Sequence, residues 1–255
     1  VHPLIARFLD PAAARDVLDR EAQGLALDAE QAAFAVAARG DAKLTASLRA
    51  RSVSPDGQQR AIVAAVRAAT ALVLDDAELG PPARLALEAL RAQGASETEA
   101  RALVSQAVLE EAFGYAEDPA RFDRPFLRET LERLPALAAI DQGAIDDWLE
   151  LWAREGAPEA RALRLAVAEI LLEAAWSDGP QPITPEHLDD ALGRLEDTVA
   201  ERDLHEALAL VAQLLAFLDQ RGVVGPQRLE RLTSLVHHFG PTSAGDAEAD
   251  DEDGA

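Results

Sequence analysis

Residues 91–114 read RAQGASETEARALVSQAVLEEAFG, and this joint decides the fold. Gly94 is a helix stop, and Ser96 with Glu99 three places on is a capping box: the serine oxygen accepts from the Glu99 N–H, and the glutamate reaches back to the Ser96 N–H. After it, Leu103, Val104, Ala107 and Val108 recur at helical spacing and form a buried stripe. Only two or three residues separate the stop from the start, which predicts a helical hairpin and assigns the joint to a scaffold.

The same punctuation runs the length of the chain. Pro11 opens a helix over 11–22, Asp28 caps one that ends before Gly40, and Asp41 caps a third running to about Arg51. Ser54 and Pro55 start a long helix in which Ile62, Val66 and Ala69 lie one turn apart. GPP at 80–82 closes it. A short helix from Pro82 carries Leu85, Leu87 and Leu90 into Gly94, and PFLRETLERL is expected to end at Pro135. Asp141 caps the helix holding Trp148 and Trp152, stopped by Gly156. Residues 157–179 are apolar nearly all round, the mark of a central buried helix. Thr184 with Pro185 starts the next helix, and two more end near Gly222 and Gly240.

The expectation is an all-α protein of about eleven helices on short loops, a multi-helix bundle or an irregular α-solenoid, with no fixed-period repeat. LPALAAID near 135–141 marks a boundary. The division is an N-terminal helical region over 1–138, a C-terminal helical bundle over 139–240, and a disordered acidic tail over 241–255.

Composition restricts the function. The 255 residues carry a net charge of −22, and residues 245–255 hold six acids and no base, so −22 less those six leaves −16 on the rest. Such a surface repels a nucleic-acid backbone and an anionic membrane, and it favours a basic protein partner. There is no cysteine, which excludes disulfides, thiolate metal sites and cysteine nucleophiles. Lys43 is the only lysine among many arginines and alanines, a pattern shared by a GC-rich bacterial genome and by a salt-adapted cytoplasm that selects acidic, lysine-poor surfaces. With no charged-then-apolar leader and no apolar run of spanning length, the expected location is the cytoplasm.

Residues 79–135 resemble a small bacterial all-helical family that is itself a domain of unknown function. The likeness lies in an order of features: LRAQG ending a helix, SETEA opening the next, and FDRPFLRETLERLP as the close. It implies a helical fold and brings no established activity. Some relatives carry histidines or a cysteine-bearing metal motif there. This stretch has neither, so no metal role carries over.

Motifs for chemistry fail residue by residue. HEALA at 205–209 begins as a zinc-protease helix does, but Ala209 stands where the second histidine belongs, leaving His205 and Glu206 as first-turn residues. His237 and His238 are adjacent, about 100° apart around a helix, and suit a helix C-terminus better than one metal ion. His187 has no readable partner. Glu110, Glu111, Glu169 and Glu173 lack the Glu-x-x-His pairs of a carboxylate-bridged metal site. The tail has no calcium-loop geometry, and no phosphate-binding or nucleophile-turn motif occurs. TPEHLDDALGRLEDTVAERD is too acidic for a DNA-reading helix.

No catalytic, cofactor-binding or metal residues are therefore assigned. Trp148 and Trp152, one turn apart beside Ile145 and Leu149, pack against a neighbour by default; an exposed one is the candidate partner-binding residue. The expected function is a non-enzymatic interaction or scaffold protein with a groove between hairpins and an acidic field for a basic protein partner. The alternatives are a metal-dependent hydrolase with scattered histidine and carboxylate ligands, which requires His187, His205 and His237 to lie close together, and an acidic nucleic-acid-mimic inhibitor.

Overall fold

The computed structural model describes residues 7–8, 10–49, 54–113, 124–177 and 179–239, with backbone only at residues 49 and 110–113. Among them are twelve α-helices and no strand. The all-α expectation therefore holds. The tail and the linking segment 114–123 lie outside the described residues. The chain divides into two units, Val1–Ala139 and Ile140–Ala255.

The first unit holds α1 (Pro11–Ala22), α2 (Ala29–Arg39), α3 (Ala42–Arg49), α4 (Pro55–Asp75), α5 (Gly80–Ala92), α6 (Glu97–Phe113) and α7 (Arg124–Ala138). α4 is its axis, packing on α1, α2, α3, α5 and α6. Its buried face is built from Ala61, Ala64, Ala65, Ala68 and Ala69. Side chains this small let neighbouring helices approach closely, and so a chain poor in aromatics still closes a core. The Phe8 and Phe34 rings stack at 4.4 Å in the same core. Thr70 ties α4 to α6 by its Oγ1, 3.0 Å from Ser105 Oγ.

The α5–α6 joint forms as its residues dictate. Gly94 has φ +104°, the Ala95 N–H donates to the Leu90 carbonyl at 3.1 Å, and the Gly94 N–H donates to Arg91 at 3.0 Å. This is a Schellman stop. The Ser96 N–H then donates to Glu99 Oε2 at 2.8 Å, and the Glu99 N–H to Ser96 Oγ at 3.2 Å, completing the capping box. The caps expected at Asp28, Ser54, Asp141 and Thr184 are also made.

Two boundaries differ from expectation. α5 begins at Gly80, two residues before Pro82. α7 does not stop at Pro135 but runs through it to Ala138. The proline removes one helical donor, but Leu134 and Leu137 on either side are buried in the unit. The Pro135 carbonyl also accepts from Gln93 Nε2 at 3.1 Å, so tertiary packing overrides the local break.

The second unit holds α8 (Gln142–Arg154), α9 (Arg161–Trp176) after a 3₁₀ turn at Pro158–Ala160, α10 (Pro185–Thr198), α11 (Glu201–Gln220) and α12 (Pro226–His238). α9 is central, packing on α8, α10 and α11, while α12 packs on α10 and α11. No helix among the described residues is long and apolar enough to cross a membrane.

Candidate functional site

A candidate site is a groove between α10 and α12. Pro185, Leu188 and Leu192 come from α10, and Leu235 and the following Phe239 from α12; Glu186, Asp189 and His238 stand at the rim, around a volume of about 400 Å³. Leu188 and Leu192, one turn apart, are buried and make the floor. Leu235 lies just off the buried stripe of Leu232 and Val236, so it is left 39 % exposed and forms a wall.

The groove is held by polar ties behind it. Trp176 Nε1 donates to the Gln181 carbonyl and Gln181 Nε2 to the Ala175 carbonyl, both at 2.8 Å, which fixes the lead-in to α10 against the end of α9. From α12, Arg228 donates to the Ile183 carbonyl at 2.7 Å. Thr184 and His187 close a reciprocal cap at the first turn of α10, with the Thr184 N–H donating to His187 Nδ1 at 3.2 Å. Burial, then the charge of Arg228, hold the His187 imidazole below its ordinary pKa against the opposing pull of Glu186 and Asp190.

The acids around the groove differ in what they do. Asp190 is committed to Arg194 at 2.9 Å, and Glu173 reaches the same guanidinium at 3.8 Å. Glu186 and Asp189 make no ion pair or hydrogen bond with any described residue. Across the groove lies the C-terminal end of α12, whose last carbonyls carry partial negative charge. The mouth is therefore negative: Glu186 stands in the first turn of α10, where the helix N-terminus partly offsets its charge, and neither carboxylate has an ion-pairing side chain among the described residues. A second hollow, of about 470 Å³ beside α1, α2 and α3, differs in that its two charges, Glu21 and Arg39, are paired with each other.

The tryptophans occupy different environments. Trp152 is 1 % exposed and belongs to the core of the second unit. Trp148 is half-buried, with the Arg221 guanidinium 6.0 Å from its ring centroid. Leu151 on the same helix is 47 % exposed.

The histidines have structural surroundings. His187 is the capping partner of Thr184, and His205 is exposed but is the fifth residue of α11, which starts at Glu201, so it lies past the expected first turn. His237 is exposed in the last turn of α12, and His238 Nδ1 lies 2.6 Å from the Ser234 carbonyl. No three His, Asp or Glu side chains among the described residues converge as metal ligands. The side chains of Glu110 and Glu111 lie outside the described residues.

The groove residues Leu188, Leu192, Leu235 and Phe239 are not singled out by the sequence pattern. Each reads as one more apolar position on an amphipathic helix. The only hint is Leu235, which falls beside the stripe of Leu232 and Val236. No protein-family model, curated protein or solved structure matches the chain.

Proposed function

We propose that this protein is a non-enzymatic helical interaction module that takes a basic protein partner at the α10–α12 groove. The observation that carries the reading is the pairing of apolar side chains that are open to solvent, Leu235 with the partly exposed Phe239 and Pro185, with rim carboxylates of Glu186 and Asp189 that have no ion-pairing side chain among the described residues. Apolar area supplies affinity, and uncompensated charge at the edge supplies orientation and association rate. The chain's charge of −22 extends the same field beyond the groove.

The test is capture from host lysate at moderate salt by the full chain, beside Leu235→Glu and the double variant Glu186→Gln/Asp189→Asn. A basic protein retained by the wild type and lost by both variants, with their melting unchanged, supports the reading. A partner retained equally by all three, or release of everything at modest salt, removes it.

A further inference from the structure

The same groove limits the form that its occupant takes. Resting on the reading above, we infer that the groove accepts one amphipathic α-helix of the partner, carrying a single large apolar anchor and a flanking pair of arginines or lysines one turn apart.

Three observations lead to this. The groove is walled by helix side chains on both flanks, and no strand edge exists among the described residues to pair with an extended peptide. Its volume of about 400 Å³ accommodates a leucine-sized or phenylalanine-sized anchor against Leu235, Phe239 and Pro185, above the covered Leu188 and Leu192, together with part of the helix that bears it. Glu186 and Asp189 are three residues apart on α10, so both stand on one helical face at a spacing of one turn. Two cations one turn apart on an incoming helix meet them in register. Both acids belong to the α10 wall, whereas the α12 wall offers Leu235 and His238. The incoming helix therefore has its basic edge over α10 and its apolar edge toward α12.

Charge complementarity selects this occupant over two others. A second copy brings its own net charge of −22 to the contact, so two copies repel where a basic helix is attracted. The chain's own residues 240–255 include no Leu, Ile, Val, Phe or Trp and no base, so they supply neither anchor nor cation.

The experiment measures binding of the full chain to labelled synthetic peptides of about 18 residues by fluorescence anisotropy. The first peptide is helix-forming, with one leucine anchor and two arginines on one face. The second has the same composition scrambled so that anchor and arginines do not share a face. The third is the first with a central proline. The first is expected to bind at least about tenfold tighter than the other two, and Leu235→Ala or Glu186→Gln/Asp189→Asn to weaken it by about tenfold. Equal binding of all three overturns the helix while leaving a basic partner in place. Absence of binding by any of them, with a basic protein still captured from lysate through the groove, also overturns the helix and spares the broader reading. Tighter binding of an acidic counterpart removes both. A dimer of the full chain in sedimentation, dissolved by Leu235→Glu, assigns the groove to a second copy and overturns the inference.

Discussion

The Arg164 guanidinium lies over the ring of Trp152, its central carbon 4.0 Å from the ring centroid, while its Nε donates to the Trp152 carbonyl at 3.0 Å. Arg164 is only 6 % exposed, and its remaining hydrogen bond goes to Gln213 Oε1 at 3.3 Å, not to a carboxylate. Burial pulls its pKa down, with Glu155 acting weakly the other way. Gly156 makes the arrangement possible, since a Cβ there would sit 2.8 Å from Arg164 Cδ. The turn between α8 and α9 is thus built around one cation lying on one indole.

Gly156→Ala is expected to destabilise the protein by about 1–2 kcal/mol by pushing Arg164 off the ring. In an Arg164→Ala background the same change is expected to cost almost nothing. Urea unfolding of the four proteins in the cycle gives the coupling directly. An equal cost in both backgrounds would show that Gly156 acts through the backbone instead. Trp152→Ala, which empties a core position, is expected to cost about 3–5 kcal/mol. Arg164→Met keeps the aliphatic stem over the indole and removes a buried charge, so it is expected to stay within about 1 kcal/mol of the wild type.

At the α5–α6 joint the expected costs have different origins. Gly94 at φ +104° has no atom within 4 Å of a built Cβ, so Gly94→Ala is opposed only by backbone conformation, at about 1–2 kcal/mol. Ser96→Ala removes the acceptor for the Glu99 N–H, at about 1 kcal/mol. Far-UV circular dichroism during urea unfolding checks both. A Gly94→Ala protein as stable as the wild type would overturn the left-handed stop.

These two places show what the sequence makes legible. Ser96 and Glu99 are neighbours in the chain, and their chemistry is complete within four residues; so are Asp28 with Gln31 and Asp141 with Ala144. Caps of this kind fix helix order and number closely. Arg164 and Gln213 are 49 residues apart, and Arg228 and Ile183 are 45 apart. Nothing local marks those arginines as buried rather than solvated. Pro135 misleads for the same reason: its local effect is to stop a helix, and its burial neighbours overrule it. The groove is the furthest from view, because Leu192 and Leu235 become one surface only when α10 and α12 pack.

Asp76 ties the end of α4 to the start of α7. Its carboxylate accepts from Arg124 at 2.6 Å and from the Glu78 and Leu79 N–H groups at 2.8 and 3.0 Å. The Arg124 guanidinium first, then the backbone donors, hold its carboxyl well below the usual carboxylate range. A depressed folded-state pKa contributes stability that is complete above the unfolded value of 3.8 and disappears as pH falls through the folded value. Asp76→Asn is therefore expected to cost about 1–3 kcal/mol at neutral pH, a difference that shrinks between about pH 4 and about pH 2. Denaturation at a series of pH values measures it. A cost independent of pH would show that the amide loses geometry, not charge.

His187 gives the α10 end of the groove its own pH dependence. A ring nitrogen that accepts the Thr184 N–H is unprotonated, so the reciprocal cap requires the neutral imidazole. Burial and Arg228 lower its pKa from 6.5, while Glu186, Asp190 and the Pro182 carbonyl oppose them. With the folded value below the unfolded one, the unfolded chain binds the proton more readily. The contribution is thus complete above pH 6.5 and is lost as pH falls through the folded value. His187→Gln retains an acceptor in its amide oxygen but does not titrate. The wild type is expected to lose stability relative to His187→Gln as pH falls below 6.5. Because Glu186 and Leu188 flank this residue, binding of the helix-forming peptide is expected to weaken over the same interval in the wild type and less in the variant. Parallel pH profiles for the two proteins would place the titration elsewhere and leave the cap to Thr184 alone.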